Sequence, residues 1–137
     1  MPKNIAVFGS TGSIGTQALS VAAFHPEDIA VRAIAANRNT ALIMEQIEQF
    51  RPEYVGMYDE AAAKEIAARF PGVKVVSGNE VNSLAALPEI DTVVNGVGFI
   101  PAPLGDKGAH VHRVGDCVAI GNLRTVVWRA WDVCMRI

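Results

Sequence analysis

The segment Ile5-Ala6-Val7-Phe8-Gly9-Ser10-Thr11-Gly12-Ser13-Ile14-Gly15 constrains this chain more than any other: a short apolar run breaks into three glycines at three-residue spacing and then resumes as a helix. A buried strand is expected to end at Phe8. Gly9 would take the tight turn, Gly12 would let a diphosphate approach the backbone, and Gly15 would let the next helix lie close to the strand. The first N–H groups of that helix would then face the anion, with the hydroxyls of Ser10, Thr11 and Ser13 as further donors. A helix start carries roughly half a positive charge and stabilises an exposed anion by about 0.3–1 kcal/mol. The spacing is G-x-x-G-x-x-G rather than the commoner G-x-G-x-x-G, and glycines beside Ser and Thr also make ordinary turns. Two readings stand side by side, a dinucleotide phosphate site and a plain strand-to-helix turn.

Up to about Val97, short β-branched runs alternate with helical segments, the pattern of a parallel sheet with crossover helices. Strands are predicted at 5–8, 30–35, 54–57, 74–76 and 92–94, and helices at 14–24, 40–50, 59–70 and 80–87. His25-Pro26 ends the first helix, because proline lacks the donor and disfavours helix in the residue before it. The second is capped by Asn39 or Thr40 and carries Leu42, Ile43, Ile47 and Phe50 at helical spacing. The third has Asp59 as its cap and closes at Pro71-Gly72, and the fourth follows Asn79 and stops before Pro88. The predicted fold class is α/β, a Rossmann-like doubly wound parallel sheet in a single domain.

At 137 residues, half of them hydrophobic, the chain can bury one core. Twelve basic against fourteen acidic residues leave a formal charge of −2, which provides no general field for nucleic acid or an anionic membrane. No run approaches 18 apolar residues, and strand chemistry begins within four residues of the N-terminus, so neither a membrane span nor a leader is expected and the expected compartment is the cytoplasm. Cys117 and Cys134 lack metal-ligand spacing with the histidines and read as small reduced hydrophobes.

The end of the second strand bears on the choice of cofactor. An acidic residue there would hold the ribose 2′-hydroxyl of NAD and repel a 2′-phosphate. This chain has Ala36-Asn37-Arg38-Asn39 instead. The Arg38 guanidinium matches a phosphate, and a charge-assisted bond of this kind contributes about 1.5–3 kcal/mol. NADPH is therefore the expected cofactor. The alternative is that Arg38 is a solvated loop charge and Asn39 only caps the next helix; Asn39 has the chemistry for both jobs.

With both segments in hand, the chain resembles the N-terminal NADPH-binding domain of the 1-deoxy-D-xylulose 5-phosphate reductoisomerase family. The residues that carry the resemblance are GSTGSIGTQAL at 9–19, HPE at 25–27, ALIMEQIEQFRPEYVGMYDEAAAKEI at 41–66 and VNGVGF at 94–99. The resemblance covers about residues 4–100. It implies that Thr11, Gly12, Ser13 and Ile14 wrap the cofactor phosphates and that Asn37, Arg38 and Asn39 hold the adenosine 2′-phosphate. It also implies the family's reaction, a skeletal rearrangement of 1-deoxy-D-xylulose 5-phosphate promoted by Mg or Mn and followed by hydride transfer from NADPH, which yields 2-C-methyl-D-erythritol 4-phosphate for isoprenoid synthesis. Members of the family are homodimers. The family's acidic metal ligands, an Asp-Ser-Glu segment, have no counterpart here, so no catalytic or metal-ligating residue is assigned and the chain alone is expected to bind NADPH without turning over a sugar phosphate.

Beyond residue 100 the chain departs from the family pattern. The motif A-N-K-E-S, which touches cofactor and substrate in the family, aligns locally with Ala119-Ile120-Gly121-Asn122, so that Asn122 matches the motif's asparagine. Leu123 then stands where the lysine belongs and Arg124 where the glutamate belongs, and a neutral side chain cannot attract an anionic substrate. Two accounts of the atypical tail, 101–137, stay open: a shifted reading frame or decayed gene copy, and a divergent crossover helix with a sixth strand at 114–120. His110 and His112 share a strand face but lack a convincing third ligand, and Trp128 and Trp131 read as core or interface anchors.

Two other functions use a similar glycine turn. A semialdehyde dehydrogenase or N-acetyl-glutamyl-phosphate reductase needs a nucleophilic cysteine past the nucleotide domain, and neither Cys117 nor Cys134 sits in such a turn. A non-catalytic dinucleotide-binding module needs nothing more than the fold.

Overall fold

Five parallel strands form one sheet in the order β4-β3-β2-β1-β5. They are β1 Lys3–Phe8, β2 Ile29–Ala36, β3 Tyr54–Met57, β4 Lys74–Ser77 and β5 Thr92–Asn95. The helices are α1 Ser13–Phe24, α2 Thr40–Phe50 and α3 Glu60–Arg69. The computed structural model describes residues 1–97, and Met1–Val97 form one compact unit. The sixth strand expected at 114–120 lies outside the described residues, as do Asn122, both cysteines, His110, His112 and both tryptophans.

The local chemistry of each helix end accounts for its bounds. Asn39 caps α2 by accepting from the Leu42 N–H at 3.2 Å, and Arg51 closes it in the left-handed conformation just before Pro52. Asp59 caps α3 through the Ala62 N–H at 2.9 Å, with Glu60 in its first turn and Arg69 in its last, the order the helix dipole favours. Gly12 caps α1 and brings no side chain to do so.

The two faces of the sheet are built differently. Ile5, Val7, Val31, Ile34, Val55 and Met57 meet Leu19 of α1, Ile43 and Ile47 of α2 and Ile66 of α3 on one face. On the other, the small residues Ala6, Ala33 and Ala35 let Val81 and Leu84 come close. A bulge places Val31 and Ile34 on the same face, since Ile5 pairs with Val31 while Ala6 pairs with Ala33. Arg32 is the extra residue, and its Nε donates to Asn4 Oδ1 at 3.0 Å.

One predicted element takes a different form. The helix expected at 80–87 is a 3₁₀ helix over Gly78–Ala86. Val81 and Leu84, its buried residues, stand three apart and at three residues per turn share one face, and Leu87 follows directly after the helix to pack on the same cluster. Gly56 in β3 makes room for this element, because a β-carbon there would stand 2.7 Å from Val81 Cγ1.

The chain thus runs outward from β1 to β4 through three helices on one face, then crosses back on the other face to place β5 on the far side of β1. Strand order reverses at β1. In an open α/β sheet the crevice at such a switch point, beyond the carboxyl ends of the strands, is where ligands bind.

Candidate functional site: the crevice at the switch point

β1 and β5 end together, with Phe8 paired to Asn95. Gly9 leaves β1 with a φ of +71°, which L side chains rarely adopt. A β-carbon on Gly9 would also stand 2.7 Å from the backbone of Gly96, just past β5. Gly96 donates its N–H to the Phe8 carbonyl at 2.8 Å, so the loop after β5 is bonded to the last residue of β1. On the helix side, a β-carbon on Gly15 would lie 2.1 Å from the Gly9 carbonyl oxygen. Gly9, Gly15 and Gly96 therefore occupy positions where the backbones touch and little or no room is left for a side chain.

Within this turn the donors are left free. The Gly12 N–H donates to the Gly9 carbonyl at 3.0 Å and the Thr16 N–H to the Gly12 carbonyl at 2.9 Å. Thr11, Ser13 and Ile14 have no acceptor for their N–H among the described residues. These are the orphan donors of a helix start, and Gly12 and Ser13 are exposed. The Thr16 hydroxyl is spent inside the helix on the carbonyls of Gly12 and Ser13.

The Ser10 hydroxyl corrects an expectation. It is fully buried and has no hydrogen-bond partner among the described residues, so it is not a donor into the crevice. The reason lies in the neighbouring bonds: the Ser10 N–H donates to the Ala35 carbonyl of β2 at 2.9 Å, which draws this residue into the sheet. Thr11 and Ser13 are the hydroxyl residues of the turn that reach solvent.

The second half of the site stands beside the first. Phe8 pairs with Ala35, so Asn37, Arg38 and Asn39 follow β2 on the strand next to the glycine turn. All three are exposed. Their backbone is held in place: Thr40 donates to the Arg38 carbonyl at 2.9 Å and Asp59 to the Asn37 carbonyl at 3.0 Å. The Asn39 side chain is occupied in capping α2. Arg38 makes no ion pair or side-chain hydrogen bond among the described residues, leaving a guanidinium free at the crevice edge.

Two residues of the site have no role in the sequence reading. Gly96 belongs to the VNGVGF run, and V-N-G directly after a strand is the signal that a close approach occurs there. Gln46 of α2 is buried and donates from Nε2 to the Ser10 carbonyl at 2.8 Å. Its signal was a polar residue in the buried stripe beside Ile43 and Ile47.

The metal implied by the family resemblance finds no fitting donors in this crevice among the described residues. Among the described residues, one group of three possible ligands exists, His25, Glu27 and Asp28, all exposed. It lies at the opposite end of the strands, where the Asp28 carbonyl accepts from Lys3 at the start of β1. A groove of about 590 Å³ lined by Arg51, Pro52, Arg69 and Phe70 is equally remote, beside the helix ends that precede β3 and β4.

A family profile described as 1-deoxy-D-xylulose 5-phosphate reductoisomerase matches residues 5–122, past the point near residue 100 where the motif resemblance ends. The reductoisomerase of Baumannia cicadellinicola is 38% identical over 130 residues, covering 91% of this chain and 32% of that protein. That of Clostridium perfringens is 39% identical over 131 residues, covering 91% and 33%. The Anaeromyxobacter enzyme is 47% identical over 78 residues, covering 56% and 20%. The chain thus spans about a third or less of the length of these relatives. Among solved structures, a DOX-P reductoisomerase in complex with NADPH, fosmidomycin and magnesium superposes with a TM-score of 0.66 at 21% identity, over 69% of this chain and 24% of that one. The Zymomonas mobilis enzyme in complex with NADPH gives 0.62 at 22%, over 68% and 25%. At that identity the likeness speaks for the fold, while the profile match and the curated relatives speak for descent, and on their strength the chain belongs to the 1-deoxy-D-xylulose 5-phosphate reductoisomerase family.

Proposed function

We propose that residues 1–100 are the NADPH-binding part of a reductoisomerase that converts 1-deoxy-D-xylulose 5-phosphate to 2-C-methyl-D-erythritol 4-phosphate. The observation that carries this reading is the juxtaposition of free backbone donors at Thr11, Ser13 and Ile14 with the free Arg38 guanidinium one strand away. A diphosphate on the turn and a 2′-phosphate on Arg38 would each meet a donor with no competing partner. Gly12 and Ile14 complete the cradle, and Asn37 and Asn39 flank the 2′-phosphate. Asn122 is proposed as a further cofactor contact on the family motif alone. When bound, NADPH supplies the hydride for the reduction step.

The chain's own part is to bind and orient. The described unit offers no metal ligands at the crevice, so this chain alone is proposed to hold cofactor without converting sugar phosphate. The tail from 101 is proposed to be a divergent but in-frame continuation, a reading supported by a family match that runs to residue 122. A cytoplasmic location and homodimeric assembly belong to this proposal too. The first is supported by the charge balance and sparse cysteine, and the second by family membership. No helix among the described residues is long and apolar enough to cross a membrane.

Titration of the purified chain with NADPH and NADH, read by nicotinamide fluorescence, tests the proposal. Tighter binding of NADPH is expected, with no turnover of the ketose phosphate in the presence of manganese or magnesium. Equal affinity for the two cofactors would remove the role given to Arg38, and binding of neither would remove the dinucleotide site.

A further inference from the structure

Gln46 and Ser10 are the two polar residues buried among the described core. Burying a glutamine is costly unless its amide is fully bonded, and among the described residues it is not: Nε2 donates to the Ser10 carbonyl at 2.8 Å while Oε1 has no partner. Leucine or methionine at this place would extend the stripe of Ile43 and Ile47 without that cost. The stability of α2 therefore does not account for Gln46.

The bond it makes does. Ser10 is gripped from both sides, by β2 at its N–H and by Gln46 at its carbonyl. The peptide between Ser10 and Thr11 is trans, and in a trans peptide the C=O and the following N–H point in opposite directions. A Ser10 carbonyl turned toward α2 thus turns the Thr11 N–H away from α2. That N–H is one of the free donors of the glycine turn. The same helix begins at the Asn39 cap, directly after Arg38, so α2 connects the two halves of the site.

We propose that Gln46 is a positioning residue for phosphate recognition: through the Ser10 carbonyl it sets the plane of the Ser10–Thr11 peptide and aims the Thr11 N–H at a diphosphate. This rests on the dinucleotide reading above, and the test separates the two. The full 137-residue chain and its near-isosteric variant Gln46→Met are titrated with NADP⁺ and with adenosine 2′-monophosphate, which carries the 2′-phosphate but no diphosphate. NADP⁺ affinity is expected to fall about tenfold in Gln46→Met, with adenosine 2′-monophosphate unchanged and a melting temperature no lower than that of the parent. Unchanged NADP⁺ affinity would overturn the proposal. Parallel weakening of both ligands would overturn it too, because that is the mark of a loosened α2. Failure of the parent chain to bind either ligand would instead sink the dinucleotide reading itself. A second measurement needs no variant: in the parent chain the Thr11 amide resonance should shift with NADP⁺ and stay put with adenosine 2′-monophosphate, and a Thr11 amide indifferent to NADP⁺ would be fatal.

Discussion

Gly15 lies so close to Gly9 that a β-carbon on the first would stand 2.1 Å from the carbonyl oxygen of the second. The obstacle is backbone, so no side chain can swing aside. Gly15→Ala is expected to force α1 off β1 and to destabilise the unit by about 3 kcal/mol, the upper end of ordinary overpacking. Gly72→Ala is the control, since nothing lies within 4 Å of the added carbon. Urea unfolding of the two variants should separate them widely; similar midpoints would mean that the turn is looser than described.

Most of the architecture could be read beforehand because it depends on local patterns. The short apolar runs at 54–57 and 74–76 are strands bounded by Pro52 and by Gly72 or Gly78, and the Asp59 and Asn39 caps fall where the residue types demand. What escaped was long-range. The bulge at Arg32 leaves no trace in a strand buried on both faces, where alternation is absent. By its place in the motif Ser10 looks like its donor neighbours, and only the bond to Ala35 in another strand reveals that it turns inward. The partnership of Gln46 with Ser10 spans 36 residues and depends on where α2 lands on the sheet.

At the opposite edge, Lys74 Nζ lies 2.8 Å from Glu53 Oε1 and 4.8 Å from the Tyr54 ring. The hydrogen bond to Lys74 holds the Glu53 carboxyl below the usual range, and that to Glu53 raises the Lys74 ammonium above its usual range. The Glu53 contribution is present above the ordinary carboxylate range and lost as pH falls through its lowered value. The Lys74 contribution is present below the ordinary lysine range and lost as pH rises through its raised value. A Glu53→Gln variant should therefore melt slightly below the parent near neutral pH, with the gap closing in acid. Both groups are exposed, so the gap is small and should shrink further with salt. A gap that persists in strong acid would show that packing rather than charge is responsible.

Arg38 stands exposed at the edge of the crevice, beyond the end of β2. Arg38→Ala removes no contact within the described unit, so its melting temperature should match the parent's. Loss of a charge-assisted phosphate bond should weaken NADPH by about ten- to hundredfold and leave NADH unchanged. The ratio of the two dissociation constants is the measurement. A variant that still prefers NADPH would move 2′-phosphate recognition to another residue.

Asn39 is given two jobs, capping α2 and flanking the 2′-phosphate, and one substitution separates them. Aspartate caps a helix as well as asparagine does, so Asn39→Asp should keep the bond from the Leu42 N–H and leave stability unchanged. Its added charge beside Arg38 would compete for the guanidinium and repel a 2′-phosphate, while a ribose 2′-hydroxyl would gain an acceptor. NADPH should weaken and NADH should hold or improve. Asn39→Ala behaves differently: loss of the cap costs about 1 kcal/mol of stability, and cofactor preference shifts far less. If Asn39→Asp binds NADPH as tightly as the parent does, residue 39 is a cap and nothing more.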